Sequence, residues 1–391
     1  MRVAGVIAEY NPFHRGHAHH LARAREITGA DILVVVMSSL FTQRGEAALL
    51  SPAIRARMAL ENGADAVFAL PVCWSVRDAE HFALGGVRLL QRLGTHVLAF
   101  GAEDADISRL RAAAELLEAP PSTMIAALRR GLGTGRPYPA ALSAAAEEAA
   151  QGTGRLLAFP NNTLAVSYLR AIRRLAAGMD AVPVPRQGAY HATALEAWPS
   201  ATALRGAVER GDWQGARQAM PESAFVLLRE EAAQGRLHLA GALDQALLYR
   251  LRAMTPEAWR ALPDLSEGIE DRLRAAAGAC ASRERLLLTA KTRRYPYARL
   301  SRLCTHALLD ITDETHAAQP LPEEPWLLGL RDSALPLLRQ AKAHGVSIIS
   351  KAADLRTAAP WFRAELRAYD LWALGCGLPA GLALRQGVVR L

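Results

Sequence analysis

The chain has 391 residues, 51% of them hydrophobic, and a formal net charge of +8. That is enough apolar material for a well-buried core and suggests two domains. No apolar run reaches the length of a membrane span, and the N-terminus lacks a signal peptide's charged start and cleavage site, so a cytoplasmic protein with no membrane partner is expected. Cys73, Cys280, Cys304 and Cys376 lie far apart without a Cys-x-x-Cys and read as reduced structural thiols. Of the 46 basic residues, only Lys291, Lys342 and Lys351 are lysines. Arginine forks onto phosphate and stacks on bases, so the balance permits an RNA partner without requiring one.

Short apolar runs alternate with helical patterns through the first half. Strands are expected at Val3–Ala8, Ile32–Met37, Ala66–Leu70, His96–Phe100 and Ala181–Pro185. Ser51-Pro52 opens a helix that stops near Gly63, and another runs from about Ala79 to near Gly94. Helices at about 105–118, 122–131 and 139–150 form an insertion before the last strand. A long apolar helix then follows Pro160 and ends near Gly178. Gly131-Leu132-Gly133-Thr134-Gly135 follows no strand and reads as a loop rather than a dinucleotide fingerprint. This alternation predicts an α/β fold with a doubly wound, Rossmann-like parallel sheet over residues 1–212, the helical insertion occupying about 105–178. From 213 to 391 the strand signal fades, and a mainly helical second domain is expected, with segments at 241–254, 268–290 and 297–310. Val346–Ile349 is a candidate for one short strand there.

The chemistry concentrates at the first turn. After Val3–Ala8, Asn11-Pro12 breaks the chain, and His14-Arg15-Gly16-His17 stands where it turns helical. Gly16 lets a ligand approach the backbone, and free N–H groups at a helix start carry roughly half a positive charge. The histidines can donate to phosphate oxygens or become cationic near neutral pH. A pair of surface histidines is the bland alternative. Zinc is another, since His14, His17 and His20 have helical spacing, but no cysteine or clear carboxylate completes that set, and no resident metal is expected. Ser200-Ala201-Thr202-Ala203-Leu204-Arg205 opens a helix after the last strand. Ser200 or Thr202 suits its cap, and Arg205 suits a β- or γ-phosphate. Asn161 and Asn162 read as a helix cap or as partners for adenine or ribose. In the second half, Lys291-Thr292-Arg293-Arg294-Tyr295-Pro296-Tyr297-Ala298-Arg299-Leu300-Ser301-Arg302 interleaves cations with tyrosines. It reads as a solvated basic face or as an RNA surface.

His-x-Gly-His after the first strand, with Ser-x-Thr-x-x-Arg near the end of the sheet, resembles the nucleotidyltransferase superfamily. Further segments bring the resemblance closer to the tRNA(Met) cytidine acetate ligase family. They are Glu9-Tyr10-Asn11-Pro12-Phe13-His14, Met37-Ser38 with Phe41-x-Gln43-Arg44-Gly45-Glu46, Phe100-Gly101-x-Glu103, Pro137-Tyr138-Pro139, Pro160-Asn161-Asn162, Leu265-Ser266-Glu267-Gly268 and Lys291-Thr292-Arg293-Arg294-Tyr295. Arg15 stands where the family pattern has asparagine, Ser39 where it has glycine, Ala47 where it has proline, and Pro199 where it has isoleucine.

The resemblance implies ATP bound by Ile7, Ala8, Glu9, Tyr10, Asn11, Pro12, Phe13, His14, Arg15, Gly16, His17 and His20, with Gly101, Asn161, Asn162, Arg186, Ser200, Thr202 and Arg205. His14 and His17 are the expected catalytic pair. Arg15 would add charge near the phosphates, while Glu103 reads as a cap for the next helix. Lys291, Arg293, Arg294, Tyr295, Arg299 and Arg302 are the expected RNA contacts. The activity implied is activation of acetate by ATP as acetyl-adenylate, with Mg²⁺ bound through the phosphates, and acetyl transfer to N4 of the wobble cytidine of elongator tRNA(Met). Two alternatives stay open: an adenylyltransferase acting on a small phosphorylated metabolite, and an RNA-binding protein with a vestigial nucleotide site.

Overall fold

The computed structural model describes residues 1–186, 200–265, 268–317, 321–351, 354 and 361–391. Of the residues singled out above, Pro199, Ser266 and Glu267 lie outside this set.

All five expected strands form. They are β1 (Val3–Ala8), β2 (Ile32–Ser38), β3 (Ala66–Leu70), β4 (Val97–Ala102) and β5 (Asp180–Pro185). Every residue of β2 and β3 is buried, as expected of apolar strands covered on both faces. β1 pairs in parallel with β2 and β4, so the connection reverses direction beside β1. Ligands in such sheets bind beyond the carboxyl ends of the strands at that reversal. Gly86, in the Ala79–Arg92 helix, lets that helix lie close on β1, since a Cβ there would come within 2.6 Å of Ile7. The insertion forms as helices Ile107–Glu118, Ser122–Gly133, Tyr138–Ala149 and Thr153–Leu157, followed by Pro160–Arg174.

The second half departs from expectation. Two further strands, β6 (Trp326–Leu330) and β7 (Val389–Arg390), extend the sheet to the order β5-β4-β1-β2-β3-β6-β7. β6 runs antiparallel to β3. The run Trp326-Leu327-Leu328-Gly329-Leu330 is buried throughout, too short and too uniformly apolar to carry a periodic signal. Val346–Ile349 is not a strand, and only Ile349 bridges to Trp326. The segment 268–290 is two helices, Ile269–Ala279 and Arg283–Ala290, the second capped by Ser282.

The apolar cores do not divide at 212. A separate core spans Leu247 to Ala307, while flanking segments on both sides pack into the core of the sheet. The Trp361–Gly375 helix shows why. Its Glu365 accepts the Val72 N–H at 2.6 Å, and its Trp372 indole donates to the Ala48 carbonyl at 2.6 Å. No helix among the described residues is long and apolar enough to cross a membrane.

The loop after β2 clamps the helical unit to the sheet. Gly45 has φ +73°, and its carbonyl accepts from the Thr305 hydroxyl and the Arg283 guanidinium, each at 2.6 Å. A Cβ at Gly45 would lie 2.9 Å from the backbone of Arg302. Gly135 has a similar φ of +77° but open space around it. Gly45→Ala is therefore expected to cost about 1–3 kcal/mol more than Gly135→Ala in urea unfolding, since only the first adds a backbone clash to the left-handed strain.

Candidate active site

A cleft of about 430 Å³ opens at the carboxyl ends of β1, β4 and β5. Ile7, Ala8, Phe100, Gly101, Val184 and Pro185 from the strand ends line it, with Arg186 just beyond. The first turn is held by crossed bonds. Tyr10 adopts φ +47° and turns the chain out of β1. The Asn11 side chain accepts the Leu49 N–H at 2.8 Å, and its carbonyl accepts from Arg205 at 2.8 Å. Arg55, fully buried, donates to the carbonyls of Glu9 (2.7 Å), Ser38 (3.0 Å) and Leu50 (3.0 Å).

His14 is the N-cap of the Arg15–Thr28 helix, and the two histidines form its capping box. His14 Nδ1 accepts the Gly16 N–H at 3.1 Å, and His17 Nδ1 accepts the His14 N–H at 3.2 Å. Both Nδ1 lone pairs are thus used, so the neutral rings carry their protons on Nε2. The rings stack with centroids 3.6 Å apart. Burial, with the Arg186 charge adding to it, pushes the pKa of His14 down to about 3. Burial, then His14, His20 and Arg186, holds His17 well below its usual value. Burial, His19 and Arg186 lower His20 to about 4. Of the two behaviours open to the pair, donation to phosphate oxygens fits this geometry and a positive charge near neutral pH does not. Without ligand they are neutral donors.

The remaining expected residues divide. Glu9, Tyr10, Asn11, Gly16, His20, Asn161, Ser200, Thr202 and Arg205 also line the cleft. Pro12 and Phe13 are buried beneath the turn. Arg15 is exposed, outside the lining, and donates to the Met220 carbonyl at 3.3 Å. Neither asparagine caps the Pro160–Arg174 helix, whose N-cap is Phe159. Glu103, just past the end of β4, does so by accepting the Asn161 and Asn162 N–H groups at 3.4 and 2.9 Å, so it does not cap the next helix as expected. Buried Asn162 bonds Asp104 N–H and the Leu156 carbonyl, leaving Asn161 to face the cleft. Ser200, not Thr202, caps the Ala201–Glu209 helix through the Ala203 N–H at 3.1 Å. Arg205 pairs with Glu46 at 2.9 Å.

Thr42, Gln43, Arg44 and Glu46 enter the cleft from the loop after β2, and Leu164 and Tyr168 from the Pro160–Arg174 helix. Arg44 had three readings open, a solvated loop arginine, a phosphate contact or an RNA contact, and the others were not among the expected nucleotide contacts. The spacing of Asn161, Leu164 and Tyr168 on one helix face was a usable signal. Among the described residues, no group of three or more His, Cys, Asp or Glu side chains is placed to hold a metal ion.

The expected RNA surface is narrower than its sequence suggests. Tyr295 is buried in the helical core, and Tyr297 packs against it. Arg299 is spent on the Asp264 carbonyl, at 3.2 and 2.5 Å. Arg302 is largely buried, and that burial lowers its pKa. Lys291, Arg293 and Arg294 remain exposed.

A mostly parallel sheet with a topological reversal, and a capped histidine pair at that reversal, place a phosphate-suited cleft at the carboxyl edge of the sheet. The HIGH nucleotidyl transferase family model matches residues 1–377. The chain is 34% identical over 370 residues to the tRNA(Met) cytidine acetate ligase of Syntrophomonas wolfei, covering 92% of this chain and 89% of that one. It is 31% identical over 404 residues to the namesake from Acetivibrio thermocellus, covering 97% and 96%. The fold also matches Thermotoga maritima TmcAL bound with alpha-thio ATP, with TM-score 0.89, 26% identity and 100% coverage of both chains. The chain belongs to the tRNA(Met) cytidine acetate ligase family.

The depressed histidines couple stability to pH. Their folded pKa values lie below 6.5, so the unfolded chain takes up protons first, and stability is lost as pH falls from about 6.5 toward 4. His14 alone is expected to remove about 2 kcal/mol by pH 5, read as a falling urea midpoint that His14→Gln flattens.

Proposed function

We propose that this protein is an ATP-dependent ligase that activates acetate as acetyl-adenylate and transfers the acetyl group to N4 of the wobble cytidine of elongator tRNA(Met). The observation that carries the reading is the capped His14–His17 pair, in one cleft with Arg186 and Arg205, on a chain of this family.

In the first step, acetate oxygen attacks the α-phosphorus of ATP and pyrophosphate leaves. Such chemistry is governed by positioning and charge stabilisation. The Nε2–H groups of His14 and His17 donate to the α-phosphate and the departing bridge oxygen, while Arg205 and Thr202 hold the pyrophosphate. Arg205 reaches it by giving up Glu46. Gly101 and Asn161 receive the nucleoside. The Thr202 hydroxyl and Glu46 carboxylate, both in the cleft, would hold a Mg²⁺ ion accompanying ATP, which would supply neutralisation of the phosphate charge. In the second step, the N4 amine attacks the acetyl carbonyl and AMP leaves. An anticodon base is already single-stranded, so presenting it costs little. A tRNA acceptor implies a cytoplasmic enzyme.

The test is acetate-dependent ATP–pyrophosphate exchange without RNA, followed by mass spectrometry of tRNA for N4-acetylcytidine. Both are expected for the wild type, and His17→Ala is expected to lower exchange at least 100-fold. Exchange that needs a nucleotide or phosphopantetheine acceptor instead of acetate overturns the reading. For the helical unit, Arg293→Ala/Arg294→Ala is expected to weaken tRNA binding and flatten its salt dependence, with ATP affinity retained, in filter binding at several salt concentrations.

A further inference from the structure

The ligase reading leaves one requirement unmet. The cytidine amine must lose a proton as it becomes an amide, and the histidines are poorly placed to take it. Their Nδ1 lone pairs are occupied by backbone N–H groups, and their Nε2 atoms already carry hydrogen. Accepting a proton would break the helix cap.

Among the described residues, the cleft is lined by two carboxylates, Glu9 and Glu46. Glu46 is paired with Arg205 at 2.9 Å, and once Arg205 turns to the pyrophosphate its carboxylate is the one that would hold Mg²⁺. Glu9 differs. It sits immediately past the end of β1, and among the described residues its side-chain hydrogen bond is from the Gln43 N–H to Oε1, at 2.6 Å. Arg55 bonds its backbone carbonyl at 2.7 Å, fixing where the side chain leaves the chain. An anionic side chain is a poor partner for a triphosphate, which the cleft already supplies with arginines and imidazole N–H groups. Its placement beside the nucleotide site therefore suits a different task.

We propose that Glu9 is the general base of the acetyl-transfer half-reaction. The proposal rests on the ligase reading above. The N4 nitrogen forms a bond to the acetyl carbon. The bond from that carbon to the AMP phosphate oxygen breaks, AMP leaves as the anion, and the N4 proton passes to the Glu9 carboxylate. Atoms and charge balance without a further reactant. The surroundings favour the role. Burial raises the Glu9 pKa toward the working pH, the Gln43 N–H opposes this, Glu46 raises it further, and Arg44 and Arg205 lower it. Tyr168 and Arg55 are the other ionisable groups near it.

The experiment separates the two half-reactions. A pyrophosphate burst with ATP and acetate measures adenylation, and single-turnover transfer of labelled acetyl to tRNA measures the second step. Glu9→Gln is expected to slow transfer about 100-fold or more, with the burst rate falling less than tenfold, and Glu9→Asp to lie between. Wild-type transfer is expected to rise with pH through one ionisation that Glu9→Gln removes, because the base must be deprotonated to act. Transfer at the wild-type rate in Glu9→Gln overturns the assignment. So does an equal loss of both half-reactions, which would make Glu9 a magnesium or nucleotide ligand or an anchor of the Gln43 loop. A wild-type enzyme that shows no acetate-dependent burst overturns the ligase reading itself, and this inference with it.

Discussion

Two backbone N–H groups at the start of the Arg15–Thr28 helix decide what the histidines of this protein can do. Gly16 and His14 donate them to the Nδ1 atoms of His14 and His17. A helix start leaves four N–H groups without partners, and here imidazoles supply two of the missing acceptors. The cap thereby sets the tautomer and leaves both Nε2–H groups as donors. Burial and the nearby Arg186 reinforce the neutral state. A donor that carries no charge of its own gains most when charge develops on a phosphate oxygen, which is how such a pair favours the transition state over the ground state.

The rest of the cleft depends on holding that helix start against the ends of the strands. Arg55 does so from below, through carbonyls at the ends of β1 and β2. Its charge is kept in the interior by hydrogen bonds, although burial still lowers its pKa to about 10. Arg205 does so from the side, bonding the Asn11 carbonyl and Glu46. The loop after β2 then links the cleft to the helical unit. Gln43, Arg44 and Glu46 line the cleft, while Gly45 and the Arg44 carbonyl meet Ser301 and Thr305 on the Tyr297–Leu309 helix. One loop therefore carries both cleft-lining side chains and the seat of the basic segment.

What could be read from the residues follows the range of the forces involved. The parallel strands and the histidine turn were legible because their signals are local: apolar runs, proline breaks and a glycine between two histidines. The capping of the Pro160–Arg174 helix by Glu103 was not, since its partners lie 58 and 59 residues away. Strand β6 was missed because five buried residues have no period to detect. The tyrosines at 295 and 297 looked like stacking surfaces, yet spacing does not report burial, and the small helical core needed their rings. Arg15 shows the same limit in reverse. It follows His14 directly, but the first helical turn rotates it away from the cleft. In each case the residue type was informative, and the direction of the side chain depended on the fold.

The central claim is that the histidine pair serves ATP as neutral Nε2–H donors fixed by a helix cap. The most direct measurement is ¹⁵N NMR of the imidazole rings at neutral pH, with and without a non-hydrolysable ATP analogue, the signals being assigned by His14→Gln and His17→Gln. The account predicts unprotonated Nδ1 and protonated Nε2 for both rings in the free protein, with Nε2–H shifted by the nucleotide. Imidazolium signals, or protons on Nδ1, in the free protein would contradict it.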